Sequence, residues 1–350
     1  MIKVLIADDS ALMRKTLKRI LEADPEIEVI GGARDGEDVV VKARELMPDL
    51  ITMDVNMPKQ DGITALQHIV SEKICPVIMV SSLTQAGAMT TFEALELGAF
   101  DFVGKPGGTV SADMGEVAKE LVGKIKAAVK GGSSKRSVTE RLARPTRSTE
   151  RNTVRSVRKH SMKAVAMGIS TGGPKMIYEV LPYIPRDVNA AFFLVQHMPA
   201  NFSTPYIKRL SESCQLDVVE AQAGTKIEPG KCYVGGGGRH LNLVNSAAGV
   251  PIIRLASRPE HLFIPSVSVM MDSVLSIYGN RTIGVIMTGM GSDGADSMVK
   301  IKQAGGITIA EAEESAIVFG MPGEAIKRGG AQIVAPIWNI ADEIIRAIER

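Results

Sequence analysis

Cysteine and long apolar runs are both scarce in this chain. Among its 350 residues stand three cysteines, Cys75, Cys214 and Cys232, far apart and without metal-ligand spacing. A disulfide scaffold and a cysteine-based zinc site are therefore excluded, and a reduced chain is expected. No stretch approaches the roughly 18 uninterrupted apolar residues that a membrane-spanning helix needs. Because residues 1–8 also lack the basic and apolar regions of a signal peptide, we expect a cytoplasmic protein without membrane insertion.

Aromatic residues are absent from a basic segment in the middle of the chain. Between residues 131 and 163 stand ten lysines and arginines against Glu140 and Glu150, although the net charge of the whole chain is +2. This composition predicts a flexible basic linker over residues 126–162. A docking strip for an acidic surface and a nucleic-acid contact are the alternatives, and the lack of stacking aromatics weighs against the second.

The length of the chain predicts two domains, and the first of them, residues 1–125, alternates apolar runs with helical patterns. Strands are predicted at Lys3–Ala7, Val29–Ala33, Leu50–Asp54, Val77–Ser81 and Phe100–Val103. Helices are predicted at Ala11–Glu22, Gly36–Leu46, Thr64–Ser71 and Ala86–Leu97, with a last one after Ala112. Five β/α units of this size indicate a doubly wound parallel sheet of the α/β class.

Polar residues stand at the carboxyl ends of these strands, where the chemistry of such sheets collects. Asp8 and Asp9 follow the first strand, Asp54 ends the third, Ser81 ends the fourth, and Lys105 follows the fifth. Three converging carboxylates require a divalent cation, and all-oxygen ligands suit Mg²⁺. A carboxylate beside it can attack a phosphoryl donor while Lys105 neutralises charge and Ser81 binds the new phosphate. The alternative, that these residues merely cap helices and turns, explains one of them better than all five.

The same stretches resemble the receiver domain of two-component response regulators. The matching sequences are Ala7–Ser10, Asp54–Gly62, Met79–Ser82 and Phe102–Pro106. The resemblance implies a flavodoxin-like fold over residues 1–125. It also implies that Asp54 is the phosphoacceptor and that a histidine kinase is the phosphodonor.

Further site residues are implied by this resemblance. The implied Mg²⁺ ligands are Asp8, Asp9, Asp54 and the backbone carbonyl of Asn56. Phe102 occupies the aromatic switch position, with Ser81 and Lys105 as the other switch residues. The Lys105–Pro106 peptide is expected to be cis.

The β/α alternation resumes after the linker, in residues 163–350. Strands are predicted at Ala164–Ile169, Ala191–Gln196, Thr282–Met287 and Ile307–Ala310. Helices are predicted after Pro174, Ser203 and Ala295 and over Asn339–Arg350. We expect a second, Rossmann-like and mostly parallel sheet. An antiparallel section is expected to involve Cys232–Val234 and His240–Val244.

The pentapeptide Gly168–Gly172 places Ser170 between glycines, after an apolar strand and before a helix at Pro174. This pattern is typical of a nucleophile elbow, in which a tight turn lifts the hydroxyl above the sheet. The motif alone is weak, because a glycine-rich turn without chemistry has the same appearance. Its meaning depends on the partners that the rest of the domain supplies.

A serine nucleophile needs a histidine base and a carboxylate that orients it. His197 follows the apolar strand Ala191–Gln196, and Asp293 lies just after the strand Thr282–Met287. Both are therefore expected at the same sheet edge as Ser170, with the backbone N–H of Met290 in the oxyanion hole. Taken singly, His197 is better explained as a capping or core residue, and an Asx turn before the helix at Ala295 is equally plausible for Asp293. The three residues together favour the triad. The order Ser–His–Asp disfavours an ordinary α/β-hydrolase.

Four motifs of this domain resemble the catalytic domain of the chemotaxis protein-glutamate methylesterases, the CheB family. They are Gly168–Pro174, Val195–Pro199, Thr288–Gly294 and Val318–Ala325. The resemblance implies hydrolysis of glutamate methyl esters on methyl-accepting chemoreceptors by Ser170, His197 and Asp293, and also deamidation of receptor glutamines. It implies a second oxyanion donor, the backbone N–H of His197, and no cofactor in the esterase site. The receiver is expected to inhibit the esterase until phosphorylated.

Three stretches depart from the usual pattern of that family. Gly235–Gly237 stands in place of Ala-Pro-Gly, Pro265–Ser268 in place of Pro-Ser-Val-Asp, and Ala310–Glu313 in place of Ala-Gln-Asp-Glu. They bear on substrate preference and rate more than on reaction type. Two other functions stay open from the sequence, a nucleic-acid-binding output that uses the basic linker and an adaptor that binds receptors without turnover.

Overall fold

The computed structural model describes residues 1–82, 84–105, 114–132 and 161–350. The predicted linker lies mostly outside the described residues, and so does Pro106 with its expected cis peptide. One α/β unit is described on each side of the linker. The mostly parallel α/β class expected for both units is confirmed.

The first unit is built on five parallel strands. They are β1 (Ile2–Ala7), β2 (Ile27–Ala33), β3 (Leu50–Asp54), β4 (Val77–Ser81) and β5 (Asp101–Gly104). Their order in the sheet is β2-β1-β3-β4-β5. The strand order reverses between β1 and β3. The carboxyl ends of these two strands therefore border the crevice in which such sheets bind ligands.

Five helices cover this sheet. They are α1 (Ala11–Leu21), α2 (Gly36–Leu46), α3 (Gly62–Ser71), α4 (Gln85–Glu96) and α5 (Met114–Gly132). Side-chain caps fix several starts, as at α3, where the Asp61 carboxylate accepts a hydrogen bond from the Thr64 N–H at 2.7 Å. Because α5 runs on to Gly132, the first residues that the sequence assigned to the linker are helical.

The second unit contains nine strands. They are β6 (Lys163–Ile169), β7 (Ala190–Gln196), β8 (Asp217–Glu220), β9 (Lys231–Val234), β10 (His240–Asn245), β11 (Pro251–Ala256), β12 (Thr282–Ile286), β13 (Ile307–Glu311) and β14 (Ile333–Ala335). Seven of them form a parallel sheet in the order β14-β13-β12-β6-β7-β9-β8, and β10 and β11 form a separate antiparallel hairpin.

The expected antiparallel role of Cys232–Val234 is wrong. These residues belong to β9, which pairs in parallel with β7 and β8 in the main sheet. Cys232, Tyr233 and Val234 are all buried, as is usual for a strand covered on both faces of a parallel sheet. His240–Val244 is antiparallel as expected, but its partner is β11.

Six helices accompany this sheet. They are α6 (Gly173–Met176), α7 (Ala200–Ser213), α8 (Val267–Tyr278), α9 (Ala295–Gln303), α10 (Met321–Lys327) and α11 (Ile337–Glu349). The helix expected after Pro174 is a single short turn that continues into 3₁₀ turns at Ile177–Glu179 and Leu181–Tyr183. In the described ranges, no helix is long and apolar enough to cross a bilayer.

The order of the central strands decides where the polar side chains meet. Ser170 follows β6, His197 follows β7, and Asp293 lies in the loop after β12. Since β7 and β12 are the two neighbours of β6, all three residues leave adjacent strands at one edge of the sheet. The strand order alone therefore places the three residues close together.

Candidate active site

The turn that carries Ser170 is too tight for side chains at its glycines. The Ser170 N–H donates to the carbonyl of Thr288 at 3.0 Å, which fixes the turn to the loop after β12. Gly172 has a φ of 77°, and a Cβ there would lie 2.8 Å from Ile317. A Cβ at Gly173 would collide with the side-chain oxygen of Gln196. Glycine is therefore required at both positions for the elbow to form.

Ser170, His197 and Asp293 form a continuous hydrogen-bonded chain. The Nδ1 of His197 lies 3.1 Å from the Ser170 Oγ, and its Nε2 lies 3.0 Å from the Asp293 Oδ2. Ser170 and Asp293 are 8% and 7% exposed, so both residues are largely shielded from solvent. The arrangement is that of a serine nucleophile, a general base and an orienting carboxylate.

Asp293 is held in its ionised form by the N-terminus of α8 and its capping residue Ser266. It accepts hydrogen bonds from the Val267 N–H at 2.7 Å, the Ser266 Oγ at 2.9 Å and the Ser268 N–H at 2.9 Å. Burial favours the neutral acid, but the hydrogen bonds from His197 and Ser268 outweigh it and hold the pKa of Asp293 well below its usual range. An ionised Asp293 accepts the Nε2–H of His197, which leaves Nδ1 free to accept the serine proton.

Sequence reasoning missed the residues that surround this triad. The Phe263 ring stacks on the His197 imidazole, with 4.2 Å between ring centroids and 12° between planes. The Nε2 of His261 lies 3.7 Å from the Asp293 Oδ1. The departure at Pro265–Ser268 marked this loop, but nothing in the sequence indicated that its backbone binds Asp293.

The two expected oxyanion donors have different surroundings. Among the described residues, the N–H of Met290 has no hydrogen-bond acceptor, so it is available to a ligand. The backbone N–H of His197 instead donates to the Ile169 carbonyl at 3.1 Å, which continues the pairing of β6 with β7. The expectation that this N–H serves the oxyanion hole is therefore corrected.

The acidic cluster of the first unit forms as the sequence predicts. Carboxylate oxygens of Asp8, Asp9 and Asp54 lie within 4.8 Å of one another. The Lys105 Nζ lies 2.8 Å from both Asp8 Oδ2 and Asp54 Oδ2. Burial raises the pKa of Asp54, and Lys105 opposes that rise. Three clustered carboxylates supply the oxygen donors that Mg²⁺ prefers, so these residues fit the ion.

Two further predicted residues lie at the same edge. Asn56 is exposed just after β3, where its carbonyl as a Mg²⁺ ligand stays a prediction. Ser81 is buried at the end of β4, and its Oγ donates weakly to the Gly87 carbonyl at 3.4 Å. This contact joins the hydroxyl to the first turn of α4.

Phe102 and Phe92 of the first unit pack against aromatic rings of the second. Phe102 stacks on Phe202 of α7 at a centroid distance of 4.6 Å. Phe92 of α4 meets Phe202 edge-on at 6.2 Å and stacks on Tyr206 at 5.9 Å. An ion pair between Arg209 and Glu96 lies beside these rings. The switch position expected at Phe102 is thus part of a contact between the two units.

This contact reaches the loops that carry Ser170 and Met290. The Gly172 N–H, two residues after Ser170, donates to the Asp101 Oδ2 at 3.2 Å. Gly123 of α5 faces Met290 so closely that a Cβ at Gly123 would collide with the methionine sulfur. Residues of the first unit therefore touch both the serine turn and the loop that offers the Met290 N–H.

Comparison with protein families agrees with this geometry. A family model for CheB methylesterases matches residues 165–344, and one for response regulator receiver domains matches residues 4–111. The chain belongs to the CheB methylesterase family. Its first unit is accordingly the receiver domain, and its second is the esterase domain.

Relatives with curated names cover the CheB-family chain from end to end. A protein-glutamate methylesterase/protein-glutamine glutaminase 3 of Syntrophomonas wolfei is 72% identical, with 100% of both chains covered. An enzyme named protein-glutamate methylesterase/protein-glutamine glutaminase in Caldanaerobacter subterraneus is 48% identical over 99% of this chain and 96% of its own. The crystal structure of the Thermotoga maritima CheB methylesterase catalytic domain has a TM-score of 0.52 and 37% identity, and covers 53% of this chain and 99% of its own.

Proposed function

We propose that this chain hydrolyses glutamate 5-O-methyl esters on the cytoplasmic region of chemoreceptors, and that it also deamidates receptor glutamines. The observation that carries the proposal is the hydrogen-bonded chain of Ser170, His197 and Asp293 beside the free N–H of Met290. The names of its full-length relatives support the substrate class.

In the proposed reaction each of these residues has a step. The Ser170 Oγ attacks the ester carbonyl while the His197 Nδ1 takes its proton, and Asp293 stabilises the imidazolium that results. The Met290 N–H binds the oxyanion of the tetrahedral intermediate. The intermediate collapses to an acyl-enzyme, and His197 returns the proton to the departing methoxide, which leaves as methanol. Water then attacks the acyl-enzyme, with His197 as base, and releases the glutamate carboxylate. With glutamine, ammonia leaves instead of methanol.

The receiver domain is proposed to cover this site until it is phosphorylated at Asp54 by a histidine kinase. Support comes from the contacts of Asp101 with Gly172 and of Gly123 with Met290, both of which place receiver atoms against catalytic loops. The linker keeps the receiver at a high local concentration, so a modest contact is enough to block the cleft. A change in the hydrogen bonds of Ser81 would reach the contact between the two domains through α4, which carries Phe92.

Mg²⁺ would be held by Asp8, Asp9, Asp54 and the Asn56 carbonyl, where it would neutralise charge on the phosphoryl group that is transferred. Lys105 contributes to the same neutralisation, since its Nζ already contacts Asp8 and Asp54. In the esterase site the nucleophile, the base and the orienting carboxylate are all side chains, so the esterase chemistry is proposed to need no metal.

The experiment that tests the proposal measures methanol released from receptor membranes carrying labelled methyl esters. The full-length chain is expected to release methanol slowly alone and faster with a small phosphodonor. Membranes whose receptors were never methylated are the control for background. Binding to the membranes with no methanol above background would instead indicate an adaptor and contradict the proposal.

Replacing Asp54 with asparagine is expected to abolish the stimulation by phosphodonor and leave the basal rate of methanol release unchanged. The amide cannot form an acyl phosphate, while the triad lies in the other domain. Asp61→Asn is a matched control, because its carboxylate caps α3 and lies outside the cluster. Equal stimulation of wild type and Asp54→Asn would overturn the proposed switch.

Chelation of divalent cations is expected to have the same selective effect. Without a divalent cation, only the positive charge of Lys105 offsets the repulsion between the three carboxylates and the incoming phosphoryl group. Phosphodonor stimulation should therefore fall by about tenfold or more with EDTA, and added Mg²⁺ should restore it. A parallel fall of the basal rate would mean that the esterase site itself uses a metal.

A further inference from the structure

Glu311 ends β13 as a carboxyl group that is 0% exposed. Its neighbours on the same strand, Ile309 and Ala310, are also buried, and the adjacent β12 carries no charged residue. Glutamate is almost never fully buried without a partner of opposite charge. The surroundings of this carboxyl therefore require an explanation that the esterase mechanism does not provide.

Both oxygens of Glu311 accept hydrogen bonds from neutral donors. Oε2 accepts from the Thr288 N–H at 2.7 Å, and Oε1 accepts from the Ser315 Oγ at 2.9 Å. The Ser315 hydroxyl also accepts from the Ile337 N–H at 2.9 Å and lies 3.3 Å from the Ala312 carbonyl. The carboxyl is thus bonded to the loop after β12 and, through the Ser315 hydroxyl, is linked to the first residue of α11.

The cations on the neighbouring helices are engaged elsewhere. Among the described residues, the charged side chains of the helices around β13 are Asp296, Lys300, Lys302, Glu324, Lys327, Asp342, Glu343, Arg346 and Glu349. Lys300 pairs with Asp272, Lys327 with Glu324 and Arg346 with Glu343, while Lys302 donates to the Gly329 carbonyl. Burial raises the pKa of Glu311 to about 7, against the opposing hydrogen bonds from Thr288 and Ser315.

Thr288 connects Glu311 to the catalytic groups. Its carbonyl accepts the Ser170 N–H at 3.0 Å, and its Oγ1 donates to the Thr171 carbonyl at 2.9 Å. Met290, whose N–H is proposed to bind the oxyanion, stands two residues further along the same loop. A group that holds Thr288 therefore sets the spacing between the nucleophile and the oxyanion donor.

We propose that Glu311 is a positioning residue of the esterase reaction whose carboxyl exchanges one proton with solvent and so makes the oxyanion loop respond to pH. In the ionised form both oxygens accept, as described above. In the neutral form the proton lies on Oε1 and is donated to the Ser315 Oγ, which turns to donate to the Ala312 carbonyl. The hydroxyl has two lone pairs, so it accepts from Glu311 and Ile337 together. This inference rests on the proposed function.

The direction of the effect follows from charge. An ionised Glu311 is an uncompensated negative charge held against the loop on which a second negative charge, the oxyanion, develops. Loss of its proton therefore raises the barrier to acylation. Its pKa is raised in the folded protein, so its contribution to stability is complete below the ordinary pKa of glutamate and is lost as pH rises through about 7.

Glu311→Gln separates this effect from the titration of the triad. The amide reproduces the neutral arrangement, with its oxygen accepting from Thr288 and its NH₂ donating to Ser315, and it carries no charge at any pH. The ratio of kcat/KM for Glu311→Gln to that for wild type, both in the full-length chain with phosphodonor, is expected to be near 1 at about pH 5.5. It is expected to rise to about 10 near pH 8.5.

The matched control is Glu313→Gln, the same change at an exposed position two residues away, for which the ratio should stay flat. A flat ratio for Glu311→Gln, or the same rise for Glu313→Gln, would overturn the proposal. Infrared spectroscopy tests the carboxyl without any turnover: a protonated-acid C=O band should disappear as pH rises through about 7 and be absent from Glu311→Gln. If wild type releases no methanol but shows this band, the proposed function fails and the titration of Glu311 stands.

Discussion

Replacing Ser170 with alanine is expected to lower the rate of methanol release by about 10⁵-fold while the fold and receptor binding persist. The change removes only the Oγ that lies 3.1 Å from the His197 Nδ1, so the base loses the proton it would accept. The residual rate would come from the Met290 N–H and from binding alone. The measurement is methanol released from labelled receptor membranes under single-turnover conditions with phosphodonor present.

Two comparisons sharpen this result. Ser297→Ala removes another buried hydroxyl of the same domain, one that donates to the Ser268 carbonyl, and should retain nearly full activity. The double variant Ser170→Ala/His197→Gln should lose little more than Ser170→Ala, because residues that act as one unit are not additive. A Ser170→Ala variant with more than about a tenth of wild-type activity would exclude Ser170 as the nucleophile.

Replacing Phe202 with aspartate is expected to raise the basal rate about tenfold or more, to near the level that phosphodonor gives the wild type. In the covered state the new carboxylate would be buried among Phe92, Phe102 and Tyr206, where an unpaired charge is costly. Separation of the receiver would return it to water, so the open state is favoured. The measurement is methanol release with and without phosphodonor.

Phe202→Leu is the matched control, since it keeps an apolar side chain in the same place and should leave most of the inhibition intact. Adding Ser170→Ala to Phe202→Asp should abolish the gain, which shows that the activity comes from the same site. If Phe202→Asp remains folded by circular dichroism but keeps the wild-type basal rate, the aromatic contact does not inhibit the esterase.

Much of this arrangement could be predicted because parallel sheets concentrate function at the carboxyl ends of their strands. Asp8, Asp54, Ser170 and His197 each follow or end an apolar run, so their positions could be inferred from local pattern alone. Their clustering then needed only the strand order, which the β/α alternation restricts strongly.

The remaining features depend on contacts between distant parts of the chain. Asp293 accepts hydrogen bonds from the backbone N–H groups of Val267 and Ser268. Because almost every residue carries such a group, the sequence does not indicate which of them bind a side chain. Cys232–Val234 is a strand as expected, but its pairing is parallel, since a short apolar run does not specify the direction of its partner. The N–H of His197 could be assigned to Ile169 only once the register of β6 and β7 was known.

The hydrogen bond from Gly172 to Asp101 has a consequence for how the two domains influence each other. If the receiver and the substrate bind the same loops, the receiver acts as a competitive inhibitor within the same chain. The higher its effective concentration beside the site, the higher the KM for substrate. Thermodynamic linkage is reciprocal, so whatever phosphorylation does for substrate binding, bound substrate does for phosphorylation. An enzyme with substrate bound would therefore hold its phosphorylated state more readily than one without substrate.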